Sequence, residues 1–444
     1  MKNLKKSGFL FTALLLVICS THLQAGSAAG IDTTHRIITE GAVTIEDKGP
    51  YYMVTLDYTK ESNPRKMGEM YGHCILKAEP EYESMVGYYM FEIATLEGLW
   101  GKTVPEHMKA IKPQLPLFYN EELLGLSSVM KGSWTWSNEE IVYCFNLLPD
   151  LFRTTQCSAF GCWGDASANG KNIAYRTLDW FGGLFAKDLP LIQSVTRIRY
   201  RDRTIYLIGA LGHLGCITGI NVNTGIMAGI LDSDVSGTSY DPQDCRSYNF
   251  DLRKALEDCP GTGKLASELT SSSKKYAFSH LLVLADEKQT CILENNISGQ
   301  GAHPGRALRY DTSQLNPGIK WNHPHIIGAV NCFMLKGQAN NFSEGKHKKI
   351  NVRRWSLMLD KLKTRLVAGK NRLTPADVQS IMCSYYGDEP GSLLLNDGDL
   401  YNLQTQQMML YIPAERSLKA FIKPKKGANP SNPSPFFYNI PLEP

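Results

Sequence analysis

The chain has 444 residues, of which 43% are hydrophobic and 20% are charged. This is the composition of an ordinary globular protein, and it excludes intrinsic disorder, a collagen-like repeat and a coiled coil. The 47 lysine and arginine residues nearly balance 43 aspartate and glutamate residues, which leaves a formal net charge of +4, so no basic field indicates a nucleic-acid partner.

The first 25 residues have the pattern of a secretory signal peptide. A basic stretch at 1–6 precedes an apolar run at 8–18, and small or polar residues follow. The run is too short to cross the roughly 30 Å hydrocarbon core of a membrane as a helix. We therefore expect an exported protein, periplasmic or secreted in a bacterium and lysosomal or extracellular in a eukaryote, with no integral membrane segment in its mature form.

Residues 26–156 are predicted to form a mostly helical segment. A pair of β-rich stretches opens it, and the apolar period then changes to that of helices. Ser137 and Glu140 form a capping-box pattern at the start of its last helix. In chain order, the predicted strands are 43–45 and 51–58, and the predicted helices are 67–77, 82–99, 105–111, 120–130 and 138–148.

From residue 156 onward the sequence becomes β-rich, with glycine, asparagine and aspartate turns between short apolar stretches. Helices interrupt it at 251–258, 353–366 and 374–382, the last opened by Thr374 and Pro375. Strands in clusters and helices in separate runs indicate a layered α+β fold rather than a doubly wound one. The predicted strands are 158–164, 172–177, 192–200, 204–209, 225–230, 281–285, 291–295, 407–412 and 418–422.

The common catalytic and metal-binding motifs are absent from the sequence. It has no G-x-S-x-G elbow, no H-E-x-x-H zinc motif, no P-loop and no dinucleotide-binding glycine pattern. Ten of the eleven cysteines follow the leader without a C-x-x-C pair. His323 and His325 are close together but lack carboxylate or cysteine neighbours at ligand spacing. We therefore expect neither a metal nor a cofactor.

A cysteine stands where the helical segment gives way to the β-rich one. Cys157 is followed by small or polar residues, and after a turn the next predicted strand carries Arg176 and Asp179. A hairpin would bring both side chains back beside the cysteine. The alternative interpretation is a buried structural thiol, or a disulfide between Cys157 and Cys144 or Cys162.

This arrangement resembles the N-terminal-nucleophile cysteine hydrolases of the acid ceramidase, isopenicillin N acyltransferase and choloylglycine hydrolase group. Their signature is a cysteine with small or polar followers and then a strand ending in Arg-Asn-x-Asp-aromatic, which Cys157, Arg176 and Asp179 match. Residues 328–331 resemble the strand that carries the family's asparagine, and 351–354 the start of its arginine-bearing helix. The resemblance covers most of residues 60–422.

The resemblance implies an αββα sandwich over residues 157–444, preceded by 26–156 as a prosegment. It also implies an autocatalytic cut between Gln156 and Cys157, after which the first chain stays associated with the second. Independently of the family, a cysteine at the start of a chain can use its own α-amine, with a reference pKa near 8, as the general base. No histidine partner is then required.

The family pattern assigns roles to four further positions. Arg176 would favour the thiolate by its charge, and Asp179 would accept a hydrogen bond from the new amine. Asn331 would donate a hydrogen bond to the tetrahedral oxyanion. The helix arginine aligns better with Arg353 than with Arg354, although the sequence leaves both open.

One position departs from the family pattern. Asp232 falls where several relatives carry a second asparagine of the oxyanion hole. An ionised aspartate would repel a developing negative charge rather than stabilise it. Either this aspartate carries a proton, or the hole depends on Asn331 and a backbone N–H, or the alignment slips there.

The sequence thus predicts an exported, self-activating cysteine amidohydrolase or acyltransferase that cleaves an acyl–nitrogen bond through a thioester on Cys157. Its substrate would be an N-acylated small molecule or lipid. A second hypothesis is a phospholipase B-like ester hydrolase, although that group carries a His-x-Thr-Trp stretch where this chain has residues 175–180. A third is a non-catalytic secreted binding protein on the same fold.

Overall fold

The computed structural model describes residues 36–99, 102–133, 135–152, 156–183, 188–233, 240–297, 305–338, 342, 348–367, 372–385, 398–425 and 435–444. The predicted signal peptide therefore lies outside the described residues. Within these ranges, no helix combines the length and the apolar character that crossing a membrane requires.

The strands form two sheets. The larger sheet has the order β1-β2-β3-β6-β7-β8-β9-β10-β11-β12 and the smaller has β13-β4-β5-β14-β15-β16. Neighbouring strands are antiparallel except β3 and β6, which are parallel. In chain order the strands are β1 (Ile37–Glu40), β2 (Val43–Asp47), β3 (Tyr52–Asp57), β4 (Ser158–Cys162), β5 (Ile173–Asp179), β6 (Gln193–Arg199), β7 (Thr204–Ala210), β8 (Thr218–Asn221), β9 (Ile226–Asp232), β10 (His280–Ala285), β11 (Thr290–Asn295), β12 (Arg306–Arg309), β13 (Ile326–Val330), β14 (Thr405–Ile412), β15 (Ser417–Ile422) and β16 (Tyr438–Ile440).

Helices cover the outer faces of both sheets. In chain order they are α1 (Pro64–Ala78), α2 (Tyr82–Leu96), α3 (Thr103–Ile111), α4 (Leu117–Ser128), α5 (Asn138–Asn146), α6 (Leu148–Leu151), α7 (Asp188–Leu191), α8 (Tyr248–Asp258), α9 (Thr262–Leu269), α10 (Lys348–Val367) and α11 (Pro375–Met382). Helices α1 and α8 pack on the larger sheet, and α10 and α11 pack on the smaller one.

The inner faces of the two sheets lie against each other with little space between them. A Cβ atom on Gly161 of β4 would come within 2.4 Å of the Thr290 side chain of β11, so the glycine is what lets these strands approach. Helices outside and sheets inside give four layers. The αββα sandwich that the family resemblance implies is therefore confirmed.

The segment before Cys157 belongs partly to the larger sheet. Its helices α1 to α6 agree with the mostly helical character that the sequence predicts. Its three strands, however, extend the larger sheet, because β3 pairs with β6 from Tyr52 opposite Ser194 to Asp57 opposite Arg199. The two sides of the predicted cut thus share one sheet.

Two predicted helix starts are confirmed at the level of single hydrogen bonds. The side-chain oxygens of Ser137 and Thr374 accept from the amides of Glu140 and Asp377, three residues further on. Pro375 occupies the first turn of α11, where it lacks no intrahelical hydrogen bond. Local chemistry therefore fixes where these two helices begin.

Candidate active site

Cys157 is fully buried and lies directly before β4. Its amide nitrogen donates to Oδ1 of Asn331 at 2.6 Å, and its carbonyl oxygen accepts from Nη1 of Arg354 at 2.8 Å. Its Sγ lies 3.7 Å from Nη2 of Arg176. The nitrogen, carbonyl and sulfur of one cysteine thus each contact a different polar side chain.

The strands that flank β4 explain this arrangement. β4 pairs with β5 on one side, where Ala159 faces Arg176, and the amide of Gln156 donates to the carbonyl of Asp179 at 3.0 Å. The predicted hairpin between Cys157 and these two residues is therefore present. On its other side β4 pairs with β13, and Asn331 is the first residue after that strand. Cys157 consequently lies between the residues of β5 and Asn331.

The Cys157 thiol is free. Neither Cys144 nor Cys162 forms a disulfide with it, so the disulfide alternative is wrong. Burial raises the pKa of the Cys157 thiol to about 11, against the nearby charge of Arg176, which lowers it. In the uncut chain the sulfur is thus held protonated at neutral pH.

Arg176 is a fully buried cation beside the sulfur. Its Nη2 donates to the carbonyl of Ile230 at 2.6 Å, and its side chain lies against Gly229 of β9, where a Cβ would come within 3.1 Å of Cδ and Nε. Nε and Nη1 have no hydrogen-bond partner within the described ranges. Burying such donors is costly unless a ligand or a charged sulfur uses them.

Asp179 is fully buried at the end of β5. Its Oδ1 accepts from the Thr405 hydroxyl at 2.5 Å and its Oδ2 from Nδ2 of Asn402 at 3.1 Å. Nη1 of Arg354 lies 3.8 Å from Oδ2. Burial raises the pKa of the Asp179 carboxyl to about 7, although Arg354 and both hydrogen bonds oppose this. The carboxyl therefore titrates near neutrality.

The arginine beside the nucleophile is Arg354, which corrects the better-aligned choice of Arg353. Arg353 has a side chain that is 42% exposed and lies 3.5 Å from Asp399. Consecutive helix residues point about 100° apart, so only one of the two arginines can face the sheet. The fully buried Arg354 does so, and it reaches Cys157.

Asn331 faces the nitrogen of Cys157 rather than a carbonyl carbon. Its Oδ1 accepts from that nitrogen and from Nη2 of Arg354 at 2.7 Å, and its Nδ2 donates to the carbonyl of Asp232 at 2.5 Å. Two donors on one side and a carbonyl on the other fix the orientation of the amide. One of the two hydrogens on the Nδ2 group expected to serve the oxyanion thus already binds the Asp232 carbonyl. Asn351 completes the setting by donating to the Asn331 carbonyl at 2.8 Å.

Asp232 contributes its backbone to this network. It ends β9, is buried, and gives its carbonyl to Asn331. Its Oδ1 accepts from the hydroxyl of Tyr248 at 2.9 Å. The structure therefore places this predicted oxyanion candidate behind Asn331, with its carboxyl turned toward α8.

Sequence reasoning missed several partners of the predicted residues. Asn351 lies within the helix start at 351–354, but an asparagine there does not by itself indicate a contact with Asn331. Thr405 is the first residue of β14 and is paired there with Asp179, and Asn402 lies just before that strand. Only the strand order, which is not readable from sequence spacing, brings them to the site.

Comparison with solved structures gives matches at low sequence identity. No family model and no curated protein matches the chain. A Caenorhabditis elegans N-acylethanolamine-hydrolyzing acid amidase ortholog is similar with a TM-score of 0.40 and 12% identity, over 64% of this chain and 100% of that one. A variant of conjugated bile acid hydrolase from Clostridium perfringens gives 0.35 and 9%, over 64% and 97%. Penicillin V acylase from Agrobacterium tumefaciens gives 0.34 and 11%, over 60% and 83%.

Proposed function

We propose that this protein is a self-processing cysteine amidohydrolase or acyltransferase whose nucleophile is Cys157. The observation that carries the proposal is the set of contacts around that one residue. Its nitrogen is held by Asn331, its carbonyl by Arg354, and its sulfur lies beside the unsatisfied cation of Arg176. The backbone of any buried residue needs hydrogen-bond partners, but a merely structural thiol would not need a buried guanidinium beside its sulfur.

Activation begins with an attack of the Cys157 sulfur on the carbonyl carbon of Gln156. The S–C bond forms, the C–N bond of the peptide breaks, and the Cys157 nitrogen takes up the proton to become an amine. Water then hydrolyses the thioester, which gives a carboxylate on Gln156 and returns the thiol. In the uncut chain the nitrogen is an amide and cannot act as a base, so the cut switches the base on.

Turnover uses the same two atoms of Cys157. The α-amine accepts the thiol proton, and the thiolate attacks the acyl carbon of the substrate. The acyl–nitrogen bond breaks as the amine passes that proton to the leaving nitrogen, and water or a second amine then releases the acyl group. Arg176 supports the thiolate by its charge, with Nη2 lying 3.7 Å from the sulfur, and Asn331 keeps the amine oriented toward the sulfur.

The segment before the cut remains bound in this proposal. A fully buried ion pair joins the two sides, with Nη1 of Arg253 on α8 at 2.6 Å from Oε2 of Glu122 on α4. Nε of Arg253 also contacts Glu257 at 2.9 Å. Separating the chains would expose these charges and break the pairing of β3 with β6, so cleavage alone leaves the two chains associated.

The proposed substrate is an N-acylated small molecule or lipid, and the leader at 1–25 is proposed to direct export. The experiment compares two fluorogenic compounds with the same acyl group, N-dodecanoyl-7-amino-4-methylcoumarin and 4-methylumbelliferyl dodecanoate. Processed protein should hydrolyse the amide, and Cys157→Ala should not. Hydrolysis of the ester alone would favour the phospholipase B-like alternative. No release from either compound, or from amides of shorter acids, would favour a binding protein.

A further inference from the structure

The end of the segment before the cut holds the start of α8. Oδ1 of Asp150 accepts from the amide of Tyr248 at 3.0 Å, and Oδ2 accepts from the Ser247 hydroxyl at 2.5 Å. The carbonyl of Pro149 accepts from the Tyr248 hydroxyl at 2.7 Å. Tyr248, the first residue of the helix, is thereby fixed at its backbone and at its side chain.

The same hydroxyl reaches toward the nucleophile. It lies 2.9 Å from Oδ1 of Asp232, whose carbonyl accepts from Nδ2 of Asn331 at 2.5 Å. Oδ1 of Asn331 in turn accepts from the amide of Cys157 at 2.6 Å. The Tyr248 ring is stacked on His280 with centroids 4.1 Å apart and planes at 11°, so the hydroxyl has little freedom to move.

We propose that Tyr248 is a positioning residue that ties the chain ahead of the cut to the partner of the nucleophile. A phenol has one proton, and the backbone carbonyl of Pro149 can only accept. The Tyr248 hydroxyl is therefore shared between Pro149 and Asp232. By holding Asp232 in place, it also holds the Asp232 carbonyl, which orients the amide of Asn331. This inference rests on the proposed function, because it assigns Tyr248 to the alignment of Cys157 for processing and turnover.

The matched pair Tyr248→Phe and Tyr276→Phe tests the proposal. Tyr276 packs on the same His280 ring at 5.4 Å and donates to Oδ2 of Asp251 at 3.0 Å, so its variant also loses one buried hydroxyl contact, but away from Cys157. Tyr248→Phe should slow formation of the fragment that begins at residue 157, and should lower kcat for the dodecanoyl amide about tenfold with KM within about twofold. Tyr276→Phe should match the wild type in all three. Equal values for the two variants would overturn the proposal.

Hydrogen exchange provides a readout that does not need activity. In a Cys157→Ala background, which cannot process, the amide of residue 157 should exchange about tenfold faster with Tyr248→Phe than with Tyr276→Phe. Equal local exchange, or faster exchange spread over the whole chain together with a lowered Tm, would make Tyr248 a purely structural residue. A wild type that neither processes nor hydrolyses the amide would refute the proposed function, while this comparison would still decide the role of Tyr248.

Discussion

The amide nitrogen of Cys157 donates a 2.6 Å hydrogen bond to Oδ1 of Asn331. In the proposed mechanism this nitrogen changes from a peptide amide to a free amine, and both forms carry a hydrogen that the same oxygen can accept. The contact made before the cut therefore already places the future base beside the sulfur. Little rearrangement is needed between processing and turnover.

Asn331→Ala should lower kcat by about 10- to 100-fold, because a buried donor left without its partner costs about 1 to 3 kcal/mol. The variant leaves the Cys157 nitrogen and Arg354 without their shared acceptor. Asn316→Ala is the control, since Asn316 is also buried and bridges two backbone groups, of Gly337 and Gln338. Steady-state kinetics on the dodecanoyl amide should show loss in the first variant only, and equal kinetics would remove Asn331 from the site.

Two adjacent arginines make a sharp comparison. Arg354→Lys should reduce processing and turnover at least about tenfold, because a lysine cannot reproduce the forked contacts to Cys157 and Asn331. Arg353→Lys keeps an exposed charge near Asp399 and should behave as the wild type. Processing is measured as the fraction of cut chain on a denaturing gel, and turnover is measured as kcat. A defect in Arg353→Lys alone would contradict this assignment and would make Arg353, which the alignment favours, the site arginine.

Asp150 should contribute to the stability of the protein at low pH, and this contribution should fall as pH rises from about 4 to about 8. Burial raises the pKa of its carboxyl to about 8, against the hydrogen bonds from Ser247 and Tyr248, whereas the unfolded value is about 3.9. The contribution of the protonated carboxyl is complete below about pH 4 and is lost as pH rises through its folded value. Urea unfolding at both ends of this window measures the free energy of unfolding. Its value at about pH 4 minus its value at about pH 8 should be smaller for Asp150→Asn than for the wild type.

Asp202→Asn is the control for that titration, because Asp202 lies exposed in the turn between β6 and β7. This substitution should leave the difference in the free energy of unfolding between the two pH values as it is in the wild type. A difference that is unchanged in Asp150→Asn would contradict the assignment of the titration to Asp150.

Glu122→Gln should weaken the association of the two processed chains. Removing one partner of a buried ion pair costs about 3 to 5 kcal/mol, since Arg253 would keep its charge without that partner. Glu121→Gln is the neighbouring control, because Glu121 lies at 3.6 Å from Arg65 within the same chain. Gel filtration in moderate urea should separate the chains earlier for Glu122→Gln. Co-elution identical to the control would place the main association energy elsewhere.

Part of the site could be predicted from sequence because its residues are close along the chain. One hairpin carries Cys157, Arg176 and Asp179, so their spacing and the turn between them were enough. The helix starts at Ser137 and Thr374 are likewise local, since each cap depends on a side chain and an amide three residues away.

The remainder depends on contacts that sequence spacing does not encode. The choice between Arg353 and Arg354 is set by the phase of α10 against the sheet, which a one-residue alignment difference reverses. The hydrogen-bond partners of Asp179 are Asn402, just before β14, and Thr405, its first residue, both more than 200 positions further along the chain. The parallel pairing of β3 with β6, which builds the first strands into the larger sheet, is also a non-local choice.

The central claim is that Cys157 cuts its own chain, and intact mass with N-terminal sequencing tests it most directly. Wild type, Cys157→Ala and the control Cys162→Ala, which changes a buried free thiol outside the site, are incubated at neutral and mildly acidic pH. The account predicts two chains, the second beginning at residue 157, in the wild type and in Cys162→Ala, and a single chain in Cys157→Ala. A cut Cys157→Ala protein, or a wild type left whole under every condition, would contradict it.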